Sequence, residues 1–177
     1  VDDLTGDVIA VGSLGKEIYY VLYSNGNLLV RGTGEMYDYD LDTNLSPLRG
    51  NSDIQAVVID EGIVSVGDYV FGNCKNMKNI TLPPSLTSIG QAAFMQGDNY
   101  IGEVCGLTNI AIPSKVTSIS GSAFWGTAIE SLVILDSVTE IGKYAFRDCT
   151  ALKKVTINGT VIGEFMFVSC TKLSNFT

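Results

Sequence analysis

The stretch LTNIAIPSKVTSISGSAF occupies residues 107–124, and its second half returns down the chain at a nearly constant spacing. It reads GIVSVGDYVFGNC at 62–74, LTSIGQAAF at 86–94, VTEIGKYAF at 138–146 and VIGEFMF at 161–167. Val66, Ile89, Ile119, Ile141 and Ile162 each stand five residues before Phe71, Phe94, Phe124, Phe146 and Phe167. An apolar-x-apolar triplet begins nine residues before four of those aliphatic positions, at Val57, Ile80, Ile110 and Leu132. Val155 opens a fifth triplet only seven residues before Ile162, and Phe176 opens a sixth. A period in the low twenties means that each repeat is one coil, too small to bury its apolar face without its neighbours.

Met77, Leu107, Ile129 and Leu152 each precede a triplet by three residues, completing the pattern L-x-x-L-x-L of a leucine-rich-repeat strand. Side chains alternate along a strand, so the outer triplet residues face the core and the middle one faces away. Pro83 and Pro113 follow directly, where a strand can end without losing a ladder donor. The Gly-x-x-Ala-Phe stretch is too short for an independent helix. It is expected to form a helical or 3₁₀ turn that seats each Phe in the core.

The string L-x-x-I-T-I-P-x-S-V-T-S-I-G-x-x-A-F-x-x-C resembles the BspA-like leucine-rich repeat family. It is carried here by MKNITLPPSLTSIGQAAF (77–94), by LTNIAIPSKVTSISGSAF (107–124) and, shortened in the middle, by ALKKVTINGTVIGEFMF (151–167). The resemblance covers roughly residues 54–177, and the preceding GNLLVRGTGEMYDYD resembles the family's usual lead-in. It implies a secreted or cell-surface bacterial protein, with adhesion to a host matrix or surface protein as the expected role. The fold it implies is a horseshoe-like, β-dominated leucine-rich repeat solenoid. Parallel strands would line its concave face, with short helical turns opposite.

Residues 1–53 have a different texture. Alternation in Ile18–Tyr23 and in Leu28–Val30 flanks Ser24-Asn25-Gly26-Asn27, and Asn-Gly between such runs signals a hairpin because both residues tolerate positive φ. With an earlier strand at Val8–Val11, this region reads as a small antiparallel β cap over the first coil. The expected division is therefore a cap over 1–53 and a solenoid of about five repeats over 54–177. The sequence stops inside a nascent strand at Asn175-Phe176-Thr177, and the expectation is that the natural protein continues.

Composition narrows the function. The net charge is −8 with 11 basic residues and no basic cluster, which argues against nucleic acid and anionic membrane surfaces. No apolar run approaches the ~18 residues needed to span a bilayer. No basic and then apolar leader opens the sequence, so an export signal is expected to have been removed or to lie outside it. The chain has no histidine, which removes Ser-His-Asp and Cys-His catalysis and the common zinc sites. Gly32-Thr33-Gly34 lacks the third glycine and the following helix of a nucleotide fingerprint. Carboxylate chemistry on glycans stays open in principle, since it needs only two acids, but Glu61, Glu103, Glu130 and Glu140 are scattered and nothing selects a pair. The expectation is no enzyme and no cofactor.

Three features remain as candidates. Cys74, Cys149 and Cys170 lie three residues after a repeat Phe, Cys105 takes the equivalent place past an insertion at 95–104, and Thr127 fills the remaining one. Free buried thiols are expected, with Cys74–Cys105 or Cys149–Cys170 disulfides sterically possible. Asp38, Asp40 and Asp42, followed by Asn44, resemble the opening of a calcium loop. The pattern then departs at Thr43 and Arg49, so a solvated acidic loop is the plainer reading. Binding to a partner protein is expected along the triplet centres Thr81, Ala111, Val133 and Thr156, flanked by Lys78, Thr108, Glu130 and Lys153. Tyr100 in the insertion is a further contact candidate. The other reading is a spacer that displays neighbouring domains and binds nothing.

Overall fold

The computed structural model describes residues 6–97, 106–159 and 163–177. Its strands are β1 (Val8–Gly15), β2 (Ile18–Tyr23), β3 (Asn27–Gly32), β4 (Gly34–Glu35), β5 (Ala56–Ile59), β6 (Ile63–Val66) and β7 (Asn79–Thr81). They continue as β8 (Ser88–Ile89), β9 (Ser118–Ile119), β10 (Ser131–Ile134), β11 (Glu140–Ile141), β12 (Lys154–Ile157) and β13 (Asn175–Phe176).

β1, β2 and β3 form an antiparallel meander, and β3 then pairs in parallel with β5, which pairs in parallel with β7. Leu28 faces Val57, and Val57 faces Ile80, so the triplet register is kept from one repeat to the next. A second set of short parallel strands runs β4-β6-β8-β9-β11, and a third runs β10-β12-β13. Between β7 and β10 the first ladder thins out. Ile110-Ala111-Ile112, expected as a strand, leaves only an isolated bridge between Asn79 and Asn109. This is the repeat that follows the insertion, and its in-facing Ile112 stays buried all the same. Packing of that side chain outlasts the hydrogen-bond ladder beside it.

The turn at Asn25-Gly26 also departs from expectation. Gly26 N–H donates to Tyr23 O at 2.9 Å, and Gly26 alone of the pair adopts a left-handed backbone, with φ of 84°. Asn25 instead turns its Oδ1 toward Asn27 N–H at 3.1 Å. A Cβ at Gly26 would lie 2.7 Å from Gln55 Cγ, so the glycine lets the linker before β5 close against the hairpin.

The segments around each repeat Phe form no helix, α or 3₁₀, among the described residues. They are runs of turns in which left-handed residues flank the Phe, four positions apart. Tyr69, Ala92, Ser122, Tyr144 and Phe165, each two before the Phe, have φ between 50° and 62°. Two after it, Asn73, Gly126, Asp148 and Ser169 are left-handed as well. In these turns every second amide N–H, at the left-handed positions and at the Phe between them, points out of the coil toward the next one. Ser122 N–H donates to Lys143 O at 3.0 Å, Phe124 N–H to Ala145 O at 2.8 Å and Gly126 N–H to Arg147 O at 2.9 Å. A helix would have closed these bonds within one repeat. The turns use them to join repeats.

The same bond reaches back before the first recognisable repeat. Gly50, with φ of 69°, donates to Gly72 O at 2.9 Å, and Leu48 O accepts the Cys74 thiol at 3.2 Å, as Phe124 O accepts that of Cys149. Leu48 therefore fills the Phe seat one coil earlier and is buried to 1% exposure.

The core is one continuous cluster from Leu14 to Met166. Its axis is a file of rings: Phe71–Phe94 at 5.5 Å between centroids, Phe94–Phe124 at 5.2 Å, Phe124–Phe146 at 5.2 Å and Phe146–Phe167 at 5.7 Å. Phe71, Phe94, Phe124 and Phe146 are fully buried. Glycine is required where the coils touch closely, since a Cβ on Gly142 would collide with Gly121 N.

Phe124→Ala should lower unfolding free energy by about 3–5 kcal/mol in a urea titration, because the cavity lies between two stacked rings. Left-handed backbone costs a non-glycine residue about 1–2 kcal/mol, and glycine's extra chain entropy recovers only about half of that. Ser122→Gly should therefore raise the urea midpoint, and Gly142→Ala should lower it.

Candidate functional site

On the strand face the triplets alternate as their chemistry requires. Leu132 and Ile134 are buried, while Val133 between them is 49% exposed. Thr81 and Ala111 are likewise exposed. Thr156 is half-buried, its hydroxyl 3.0 Å from that of Thr177. The four triplet centres thus form a small, neutral column. Lys78, Glu130 and Lys153 flank it in the open, while Thr108 turns its hydroxyl to Lys78 O at 3.0 Å. Lys153 Nζ lies 2.8 Å from Glu130 Oε2, and this hydrogen bond holds the Glu130 carboxyl below its ordinary range. Both side chains are exposed, so the pair orients the surface more than it stabilises it. Tyr100 and most of the insertion lie outside the described residues, as do Cys105, Glu103 and Ile162.

The acidic loop is tied down by its own backbone. Asp40 Oδ1 accepts the amides of Asn44, Asp42 and Thr43 at 2.7–2.9 Å, and its other oxygen accepts the Thr43 hydroxyl at 2.8 Å. These bonds, that from Asn44 first, pull the Asp40 carboxyl well below the usual carboxylate range. Asp38 Oδ1 accepts Asp68 N–H at 3.0 Å, which attaches the loop to the first repeat. Asp68 in turn accepts Gln91 N–H, and burial raises its carboxyl despite that bond. Among the described residues no three Cys, Asp or Glu side chains are grouped to hold a metal ion. Of the scattered acids, Glu61 accepts Ser85 N–H at 3.1 Å and Glu130 is paired with Lys153.

The cysteines act as small buried donors. Cys74, Cys149 and Cys170 are free thiols, and each donates to a carbonyl of the preceding coil, at 3.2 Å, from Leu48, Phe124 and Phe146 respectively. Burial pushes the Cys74 thiol up to about 12. The mutual interaction of the Cys149 and Cys170 side chains raises Cys149, with burial adding to the effect, and lowers Cys170. Cys170 is also the one of these three that solvent reaches. Since the thiolate is the nucleophile, iodoacetamide at pH 8 should modify Cys170 in the native protein well before Cys74 or Cys149. In denaturant without reductant all four cysteines should be modified, and mass spectrometry reads both results; two unmodified sites there would reveal a disulfide.

The turn segments carry an arrangement that the repeat pattern does not announce. Arg147 stacks its guanidinium 4.7 Å from the Trp125 ring centre and 5.2 Å from that of Tyr144. Tyr144 stacks on Phe165 at 5.6 Å, and Lys143 lies just over 5 Å from both rings. Trp125 is fixed by a 2.8 Å bond from its Nε1 to Asp148 Oδ2. In sequence these residues merely neighbour core Phe positions. The left-handed turn carries them outward, and stacking of coils brings them together. Their one sequence signal is aromatic or cationic character recurring just before and after the Phe.

The fold is therefore that of a strand-dominated leucine-rich repeat protein with parallel sheets. A model of the BspA type leucine-rich repeat region matches residues 49–101 and 97–177 in six copies, and the chain belongs to that family. A leucine-rich repeat protein from Eubacterium ventriosum is 28% identical with a TM-score of 0.64, over 86% of this chain and 44% of that one. One from T. pallidum is 21% identical with a TM-score of 0.67, over 92% of this chain and 79% of that one. One from Bacteroides ovatus is 18% identical with a TM-score of 0.54, over 99% of this chain and 53% of that one. At such identities the last two are likenesses of fold alone. The chain spans less than half of the E. ventriosum protein and about half of the B. ovatus protein. No curated protein matches it. No helix among the described residues is long and apolar enough to cross a membrane.

Proposed function

We propose that this chain is a non-catalytic, adhesin-like protein-recognition module of a secreted or cell-surface bacterial protein. In this reading residues 1–53 cap a solenoid formed by 54–177, and the strands line its concave face. The observation that carries it is the exposed column of triplet centres, in which Val133 at 49% exposure stands among small neutral neighbours. Val133 and Thr156 are paired in one parallel ladder, Thr81 pairs with Val58 in another, and Ala111 stands at the break between them. The column suits an extended contact with another protein, as repeat proteins commonly make. Interfaces disfavour charge at their centre, and here the Glu130–Lys153 pair stands at the margin of the column.

The strand face is also free of core duty, so it can be tested without disturbing the fold. Surface substitutions of this kind change stability by about 0.5 kcal/mol or less. Thr81→Lys with Val133→Asp should leave the urea midpoint nearly unchanged. Retention on a panel of immobilised extracellular-matrix proteins should fall at least about tenfold, as expected for a charge buried unpaired at an interface. Retention equal to that of the unsubstituted protein would overturn the reading and leave the spacer role.

A further inference from the structure

The edge strand of a sheet presents a row of N–H and C=O groups to any other strand, and natural proteins keep such edges short, charged or broken by proline. Among the described residues, five of the six sheet edges are short: β4, β7, β10, β11 and β13 run for two to four residues. The sixth edge, β1, runs for eight residues from Val8 to Gly15 and contains no charge and no proline. Three of its side chains within four residues, Val8, Ile9 and Val11, are 56%, 49% and 66% exposed. Register shows where Val11 points. It pairs with Val21, Val21 with Leu29, Leu29 with Val58 and Val58 with Thr81, so the five form one row on the outward strand face. Leu29 lies outside the core cluster that takes its neighbours Leu28 and Val30. An apolar row therefore crosses the cap and ends at the sheet edge on an exposed valine.

Charge and symmetry select the occupant of this edge. Exposed Asp7 precedes the strand and exposed Lys16 follows it. Two copies of β1 set antiparallel about Val11 place Val11 against Val11, and residues directly opposite each other face the same side. The same register sets Asp7 opposite Gly15 of the second copy, and so beside its Lys16. A strand carrying an acid at its start and a base at its end is thus complementary to itself when reversed. β1 pairs regularly with β2 from Ala10 to Ser13, and its register shifts lie on either side of that stretch. The two-fold centre falls within the regular part. We propose that β1 is the interface of a symmetric dimer, in which the five-stranded cap sheets of two copies join edge to edge. An isologous contact of this kind is closed, so it leaves neither copy with a long edge. It also joins the two outward rows across the axis, from Thr81 to Val11 in one copy and back to Thr81 in the other. The triplet centres beyond Thr81 take no part in the contact, so the dimer and the protein-recognition surface stand or fall separately.

Sedimentation equilibrium should show a reversible association that stops at two copies. Val11→Lys sets like charges against each other on the axis and should weaken association at least about tenfold. Its circular dichroism should match that of the unsubstituted protein, because Val11 lies outside the core. Lys16→Asp should weaken the dimer as well, and adding Asp7→Lys should restore it. Asp7 tolerates this exchange because its backbone anchors it, with N–H to Ser24 Oγ at 3.0 Å and O from Ser24 N–H at 2.8 Å. Val11→Cys should form a covalent dimer on mild oxidation, since the two-fold brings the paired residues within disulfide reach. Tyr19→Cys, on β2 and also exposed, should not. Thr81→Lys with Val133→Asp should leave the dimer intact while it tests the recognition surface. A monomer at every concentration, growth beyond two copies, association undiminished by Val11→Lys, or no recovery on exchange of the charges would each overturn the proposal.

Discussion

Everything in this molecule depends on one contact being repeated without slippage: each buried Phe ring lies on that of the next coil, 5.2–5.7 Å away. Apolar burial is non-directional, and a file of rings alone would allow the coils to slide. The turn amides prevent this. Phe94 N–H bonds Ala123 O and Phe124 N–H bonds Ala145 O, both at 2.8 Å, so each ring is locked to its successor by the backbone that carries it. Hydrophobic stacking supplies the drive and the inter-coil hydrogen bonds supply the register.

That arrangement has a conformational cost, and the cost shapes the surface. The turns that donate outward hold left-handed residues two before and two after the Phe, a backbone that side chains other than glycine resist. The chain nonetheless places Tyr69, Tyr144 and Phe165 at such positions. Side chains there project away from the core, where cations can sandwich them, as Arg147 and Lys143 do. The turn face thereby becomes a chemically varied surface, while the strand face stays small and neutral.

The cysteine column belongs to the same system. A thiol is small enough to sit beneath the ring file and still donates to the carbonyl of the preceding coil, as Cys149 and Cys170 do at 3.2 Å. Thr127 occupies the equivalent position but turns its hydroxyl to Phe124 O of its own coil, at 2.9 Å, and lies 3.4 Å from Cys149 Sγ. A small polar atom in that position satisfies a buried carbonyl that would otherwise be costly.

The sequence by itself determined which side chains are buried. The five-residue step from Ile89 to Phe94 and the alternation through Leu132-Val133-Ile134 are properties of neighbours along the chain, and both were legible without coordinates. The N-terminal strands were legible for the same reason. The tertiary structure decided the rest. Turn segments that read as helical became left-handed ladders, because their amides found better-placed acceptors in the next coil than in their own. Leu48 took a Phe seat that no motif marks, since only its position under Phe71 defines it. The contact of Arg147 with Trp125 arises from residues of different coils, joined by stacking. Local pattern reports what a residue does within its own coil. What adjoins it in the next coil is set by register, which the spacing, insertion and shortening of repeats determine only once the coils are stacked.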